Sequence, residues 1–167
     1  MPGQQIELNP VDFITVGTIG PKGQRIFHLQ GGQGKQLVSL IIEKEQAWAL
    51  SEAIGEMLDD LDKRYPSAEP ESEPAGVDMD LREPIEPIFR VAQMGLGYDE
   101  DRDMVVLVAQ EAVVVDEEAD PSLIEPRVVR MWCSREQMRL LSRHALDVVS
   151  AGRPDPKQNG RLIYYWT

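Results

Sequence analysis

The chain has 167 residues, 42% of them apolar and 28% charged, which is the composition of a folded domain with one ordinary hydrophobic core. Its formal net charge of −12 repels phosphate backbones and anionic headgroups, so neither nucleic acid nor a membrane surface is an expected partner. A single cysteine, Cys133, excludes an intrachain disulfide and a cysteine cage for metal. With no signal segment or membrane-spanning run, we expect a cytoplasmic protein.

The first predicted elements are three strands and a helix. Residues 13–19 are apolar and β-branched, a Gly-Pro-Lys-Gly turn follows at 20–23, and residues 25–30 return as the second strand of a hairpin. Residues 37–42 predict a third strand. An apolar stripe with helical spacing then indicates a helix; its members are Ala47, Leu50, Ile54, Met57, Leu58 and Leu61.

Residues 31–35, Gly-Gly-Gln-Gly-Lys, resemble a phosphate-binding loop. A P-loop requires a glycine five positions before its Gly-Lys pair and Ser or Thr after it, but Leu29 and Gln36 stand there. A strand follows instead of a helix. We therefore expect a glycine-containing hairpin or crossover loop.

The segment 64–86 is rich in Pro, Glu, Asp and Ser and has no apolar periodicity, so it predicts a solvated acidic linker. After it the order of elements repeats. Strands are predicted at 89–96, 104–110 and 127–133, with an acidic loop at 116–125 before the third. Ser134 and Gln137 form a capping-box pattern, and a second apolar stripe predicts a helix; its members are Met138, Leu141, Ala145, Val148 and Val149.

The two helical segments align with each other, since residues 45–51 correspond to 136–142. Each is preceded by a strand and a hairpin whose second strand ends in glutamine, Gln30 or Gln110. The sequence therefore predicts a single α+β domain built from a duplicated β-β-β-α repeat with pseudo-two-fold symmetry, its antiparallel sheets each covered by one helix. Repeat one spans about 11–63, the linker 64–86, repeat two 87–152, and a C-terminal aromatic tail 153–167.

No nucleophile, base and oxyanion donor can be named together, so no catalytic residue, cofactor or metal ligand is predicted. His28 and His144 lack a second ligand at metal-binding spacing. Cys133 precedes a helix, where the dipole can activate a thiol, but it aligns with Ile42 in the first copy. Packing is therefore the favoured role for Cys133.

Three functions remain open from the sequence. The leading hypothesis is a non-catalytic protein-binding or adaptor module, with a candidate partner-binding tail at Tyr164, Tyr165 and Trp166. The alternative is a small-molecule-binding protein or enzyme with a site where the repeats meet. Its candidate residues are Arg25, His28, Arg130 and Cys133. Self-association through strand edges or the tail is the third.

Six short motifs occur together along the chain: Phe13 with Val16-Gly17-Thr18, Gly23-Gln24-Arg25, Leu29-Gln30, Glu43-Lys44-Glu45-Gln46, Phe89-Arg90-Val91 and Ala151-Gly152-Arg153-Pro154. On these motifs the chain resembles domain-of-unknown-function family 3090, a largely actinobacterial family, from about Phe13 to Arg161. The resemblance implies a cytoplasmic protein without an established activity. It also implies relatives that often lie near a phosphomutase-like protein and a lipid-kinase-like protein.

The resemblance ends at the C-terminus. Many relatives follow Ala-Gly-Arg-Pro with a cysteine-rich, zinc-ribbon-like tail, whereas here residues 155–158 lead directly to Asn159-Gly160-Arg161 without a cysteine. A tetrahedral zinc site needs four Cys or His ligands, so a zinc-linked role does not carry over. We hypothesise that the aromatic run from Leu162 to Trp166 stabilises this end of the chain by packing, in place of the metal site of the relatives.

Overall fold

A computed structural model describes residues 4–21, 23–66, 77–113 and 125–151 of the chain. The architecture is α+β. The elements in chain order are β1 (Gln5–Leu8), β2 (Phe13–Ile19), β3 (Ile26–Gln33), β4 (Gln36–Ile42), α1 (Lys44–Arg64), β5 (Pro87–Asp99), β6 (Met104–Glu111), β7 (Val128–Cys133) and α2 (Arg135–Ala151).

All seven of these strands form one mixed sheet in the order β1-β7-β6-β5-β4-β3-β2. The triplets β2-β3-β4 and β5-β6-β7 are antiparallel, as expected of hairpins. Parallel pairing of β4 with β5 joins the triplets, and β1 pairs parallel with β7. The predicted antiparallel sheets, one for each copy, are therefore replaced by a single mixed sheet, because the edge strands of the two triplets pair with each other.

The sheet is curled, and the segment between β1 and β2 links these two edge strands. Between β1 and β2, the backbone N–H of Val11 donates to the carbonyl of Trp132 in β7 (2.9 Å), and that of Asp12 donates to Gly32 in β3 (2.7 Å). Asn9 and Gln33 exchange two further hydrogen bonds of 3.0 Å. Residues 9–12 thus bridge β7 and β3, and the short strand β1, which the sequence did not predict, closes this side.

The core fills the concave face of the curled sheet. Alternate side chains point to this face, as the two-residue period of a strand requires; its fully buried members include Leu8, Val16, Leu29, Leu40, Leu107 and Met131. At Gly31 an added Cβ would lie 2.9 Å from Sδ of Met131, so opposite walls of the sheet meet across the interior. Glycine at this position lets β3 approach β7.

The two helices pack against each other as an antiparallel pair. At their crossing, the Ser51 hydroxyl donates to the Ser142 carbonyl (2.7 Å) and the Ser142 hydroxyl donates to the Ser51 carbonyl (2.8 Å). Ser51 is buried, and its small side chain allows the close approach that these bonds need. The C-terminal end of α1 meets the N-terminal end of α2, where Asp62 pairs with Arg135 (3.3 Å).

Each helix lies beside the strand that opens the other triplet. Gln46 of α1 donates from Nε2 to the carbonyl of Val91 in β5 (3.1 Å), and Gln137 of α2 donates to the carbonyl of Val11 just before β2 (3.1 Å). Both glutamines also accept from the backbone N–H of the residue just before their helix, Glu43 or Ser134. The helices therefore cross over, whereas the sequence predicted each helix on its own strands.

Residues 77–86, which we call the strap, cross the convex face of β2, β3 and β4. The Thr15 hydroxyl donates to the Met79 carbonyl, and Gln30 both accepts from the Arg82 N–H (2.7 Å) and donates to the Arg82 carbonyl (2.9 Å). An added Cβ at Gly17 would lie 2.6 Å from the Leu81 side chain. This part of the predicted solvated linker is thus packed against the sheet.

We expect Ser51→Val to lower the free energy of unfolding by about 1–3 kcal/mol, because it removes one of the two reciprocal hydrogen bonds and adds volume at a close helix crossing. Urea unfolding followed by circular dichroism measures the change. Ser150→Val, at an exposed position of α2, is the matched control for the same substitution without burial. Equal losses in the two variants would show that the crossing contributes nothing specific.

Candidate functional site

The four residues predicted at the junction of the repeats lie in separate surroundings. Arg25 donates to the carbonyl of Ala151 at the end of α2 (3.4 Å), and His28 is on the convex face of β3. Arg130 is on the convex face of β7 and donates to the side chain of Gln5 (2.5 Å). Cys133 lies in the core. They do not form one site, and Tyr164, Tyr165 and Trp166 lie outside the described residues.

Burial makes Cys133 unsuited to nucleophilic chemistry. The residue is 0% exposed, and its Sγ faces the carbonyl of Met131 at 3.6 Å. Desolvation of the thiolate raises the pKa of the thiol to about 12. A thiol held neutral at physiological pH is a packing residue, which agrees with the role favoured by its alignment with Ile42.

His28 is also buried, at 4% exposure, between Gly17 and Ile41 on the neighbouring strands. Its Nδ1 lies 3.0 Å from the carbonyl oxygen of Ile26, a geometry in which Nδ1 donates. Desolvation lowers the pKa of the imidazole below its usual value, and the bond to Ile26 opposes this effect in part. The side chain is therefore a neutral component of the packed sheet.

The polar clusters of the described ranges do not form a metal centre. Over residues 4–21, 23–66, 77–113 and 125–151, no group of three or more His, Cys, Asp or Glu side chains is arranged to hold a metal ion. The buried Arg135 instead bonds Asp103 (2.7 Å), Asp62 (3.3 Å) and the Tyr98 hydroxyl (3.1 Å). This cluster ties both helices to the turn between β5 and β6.

A cleft of about 420 Å³ lies where β4 ends and α1 begins, at the joint between the triplets. Arg25, Lys44 and Arg90 line it together with Glu43 and Glu45. The Arg90 guanidinium pairs with Glu43 (2.5 Å), and Glu43 with Gln46 also caps the N-terminus of α1. The two arginines and the helix N-terminus therefore already have anionic or carbonyl partners within the protein.

A second cavity, which we call the α1–β5 groove, has about 370 Å³ and predominantly apolar walls. One wall is the α1 face of Gln46, Ala49, Leu50 and Ala53, and the other is β5 from Ala92 to Leu96, with Leu107 at the base. The small side chains of Ala49 and Ala53 leave the space between helix and strand unfilled. Both alanines are exposed.

Strand β5 runs along this groove with one edge open. Its first residues pair with β4, the last register being Ile41 with Arg90, and from Val91 to Asp99 it pairs with β6 on the other side. Gln46 bonds the carbonyls of Val91 and Ala92. Beyond them, from Gln93 to Asp99, the edge toward α1 has no strand partner among the described residues.

The corresponding position in the other half is covered. Helix α2 packs along β2 more closely than α1 approaches β5, and the aligned helix positions carry Leu140 and His144 where α1 has the two alanines. The strap residues Val77 and Met79 also line the remaining space beside Leu140. The middle of β2, residues 14–17, is therefore buried, whereas Gln93 and Gly95 of β5 are exposed.

Sequence reasoning missed the α1–β5 groove, although two signals for it were present. Ala49 and Ala53 form a small-residue stripe outside the apolar stripe of α1. Gly95 and Gly97 alternate in β5 with larger side chains, and glycine within a strand often marks a place where other groups approach the backbone. An added Cβ at Gly95 would meet nothing within 4 Å.

At pH 8 we expect Cys133 of the native protein to react with a disulfide reagent such as DTNB at least about a hundredfold more slowly than Cys133 of the protein unfolded in guanidinium. The reason is that a pKa near 12 leaves about one thiolate in ten thousand thiols. Absorbance at the thionitrobenzoate band follows the reaction. Rapid labelling of the folded protein would contradict the buried, neutral thiol.

The lowered pKa of His28 predicts a pH-dependent stability. The unfolded chain binds the imidazole proton near pH 6.5, the native protein only at lower pH, so the free energy of unfolding falls as pH decreases from about 6.5 toward the native pKa. The amide of Asn in His28→Asn can still donate to Ile26. Between pH 7.5 and 5.5 this variant should lose less free energy of unfolding than the wild type does. Urea unfolding at both pH values measures the two losses; identical losses would refute the lowered pKa of His28.

Neither helix of the described residues combines the length and apolarity needed to cross a bilayer. The chain has no match among curated proteins or solved structures. A family model described as "Protein of unknown function (DUF3090)" matches residues 6–160, nearly the full length, and covers every strand and helix except the first residue of β1. The chain therefore belongs to the DUF3090 family.

Proposed function

We propose that this protein is a non-catalytic protein-binding module whose α1–β5 groove receives an extended segment of a partner protein. The observation that carries the proposal is the open edge of β5 beside an apolar groove. An extended peptide can add to such an edge through main-chain hydrogen bonds while its alternate side chains enter the groove. The proposal includes a cytoplasmic location, which a single buried thiol suits.

The chemistry of the groove supports a peptide over a small polar substrate. Met94 and Leu96 are half-buried apolar side chains two residues apart on β5, so they match the spacing of side chains on an added strand. Gln46 and Gln93 supply polar groups at one end. Charged side chains are missing from the described lining, as is usual at the centre of a protein interface.

The proposal also treats the fold as a duplicated β-β-β-α unit with a pseudo-two-fold axis through the Ser51–Ser142 contact. The reciprocal serine bonds and the equivalent roles of Gln46 and Gln137 support the duplication. Under this relation, the space between α2 and β2 is the counterpart of the α1–β5 groove. The strap residues Val77 and Met79 line this counterpart space, so a segment of the chain itself occupies part of one of the two related surfaces.

A small-molecule site in the cleft at the triplet joint is the second candidate, favoured by its volume of about 420 Å³ and by Arg25. It has less support, because Arg25 and Arg90 are engaged with Ala151 and Glu43. A rise in the melting temperature with millimolar phosphate or citrate that disappears in Arg25→Ala would favour it. The aromatic tail and self-association remain further candidates for partner binding.

Selection from a displayed library of random peptides tests the peptide-binding proposal. We expect recovered peptides to lose affinity by at least about tenfold for Ala53→Arg, whose long charged side chain fills the groove from an exposed helix position. Ser150→Arg, exposed on α2, is the matched control and should bind like the wild type. Thermal unfolding confirms that both variants fold; peptides that bind all three proteins equally would refute a role for the groove.

A further inference from the structure

We infer that the partner segment is basic: an extended peptide that adds to β5 as a strand, with apolar side chains facing the groove and Lys or Arg side chains at its rim. The inference rests on the proposed function and specifies its ligand. Three observations carry it: the way in which the β5 edge is opened, the acidic rim of the groove, and the two-residue spacing of the groove wall.

The β5 edge is opened by the start of α1. Strand β4 ends at Ile42 and the chain enters the helix at Lys44, so the parallel partner of β5 stops after the register at Arg90. The edge from Gln93 to Asp99 then continues for seven residues. At about 3.3 Å per residue, this length accommodates a strand of about six residues in the place that a longer β4 would take.

The rim of the groove on α1 is acidic. Glu45, Glu52 and Glu56 are exposed and lie three or four residues from Ala49 or Ala53, so they project beside the two alanines that line the groove. The far end of β5 adds Asp99, Glu100 and Asp101, one after another. In a chain of net charge −12, this rim attracts cationic side chains and repels anionic ones.

The basic residues near the groove lie toward its two ends. Arg90 pairs with Glu43 and Lys44 begins α1, whereas Lys63 and Arg64 lie in the last turn of α1. From Ala49 to Glu56 along the helix the charged side chains are glutamates alone. A peptide strand centred on Met94 and Leu96 therefore meets negative charge beside its central residues.

The same charges argue against other occupants. A second copy that paired through its own β5 edge would bring two rows of Glu45, Glu52 and Glu56 together, which costs electrostatic energy. An acidic peptide would meet the same repulsion. An apolar peptide without charge would gain from the groove but not from its rim.

A displayed library with alternating positions tests the inference. Every second position is drawn from Val, Leu, Met and Thr, and the intervening positions are drawn equally from Lys, Ser and Glu. We expect peptides recovered on the wild type to be enriched in Lys over Glu by about fivefold or more, and Glu52→Lys to reduce that ratio several-fold. Asp147→Lys, an equal change of charge at an exposed site on α2, should leave the ratio unchanged.

Strand addition is tested with the best recovered peptide in two N-methylated forms. Alternate amides of an added strand face β5, so methylating one set should weaken binding by at least about tenfold and methylating the other set should not. Equal affinities of the two forms would overturn strand addition. Equal recovery of Lys and Glu, or recovery of Glu-rich peptides, would overturn the basic partner.

Failure of this inference is distinct from failure of the proposed function. The recovered peptides could require the groove, as shown by loss of binding to Ala53→Arg, and yet show no preference for Lys. That result would support the binding module and refute its basic ligand. A library that returns no peptide sensitive to Ala53→Arg would overturn both.

Discussion

The short parallel pairing of β4 with β5 is the constraint on which the rest of the structure depends. It joins the two strand triplets into one sheet, and it ends after Arg90 because the chain turns into α1 at Glu43. That turn places α1 beside β5 instead of over the strands that precede it. The crossing of the helices and the open edge of β5 both follow from this early end of β4.

The two halves differ because side chains of different size stand at equivalent helix positions. Leu140 on α2 helps to fill the space beside β2, and the strap adds Val77 and Met79 from outside. On α1 the alanines Ala49 and Ala53 leave the corresponding space open. Under the proposed duplication and function, packing falls to one half and partner binding to the other with few changes of side chain.

Local pattern was enough to predict both helices and six of the seven strands, since apolar periodicity and turn residues are properties of short segments. It also predicted a glycine-containing hairpin or crossover loop; the structure shows a hairpin in which Gly31 and Gly32 belong to β3 and Gly34, with φ of 59°, lies between the paired Gln33 and Gln36. It did not predict β1, because four residues with one buried side chain at Leu8 carry little periodicity. Nor could it show which strand each helix covers.

The candidate site could not be predicted from the sequence for the same reason. The groove consists of Ala49 and Ala53 from one predicted element and Met94 and Leu96 from another, and no local rule brings them together. Among the residues that were named, the alignment of Cys133 with Ile42 indicated the buried position that the structure gives it. Arg25, His28 and Arg130 are candidates by their chemistry, which a sequence shows, and not by their proximity, which it does not.

The pairing of β1 with β7 has a consequence for how the chain reaches its native state. Glu7 and Trp132, which share a hydrogen bond, are separated by 125 positions, so the first strand finds its partner only after almost all the described chain has left the ribosome. Until then Leu8 lacks the Met131 wall against which it packs. Closing so long a loop is slow and entropically unfavourable, and the incomplete sheet exposes apolar surface during synthesis.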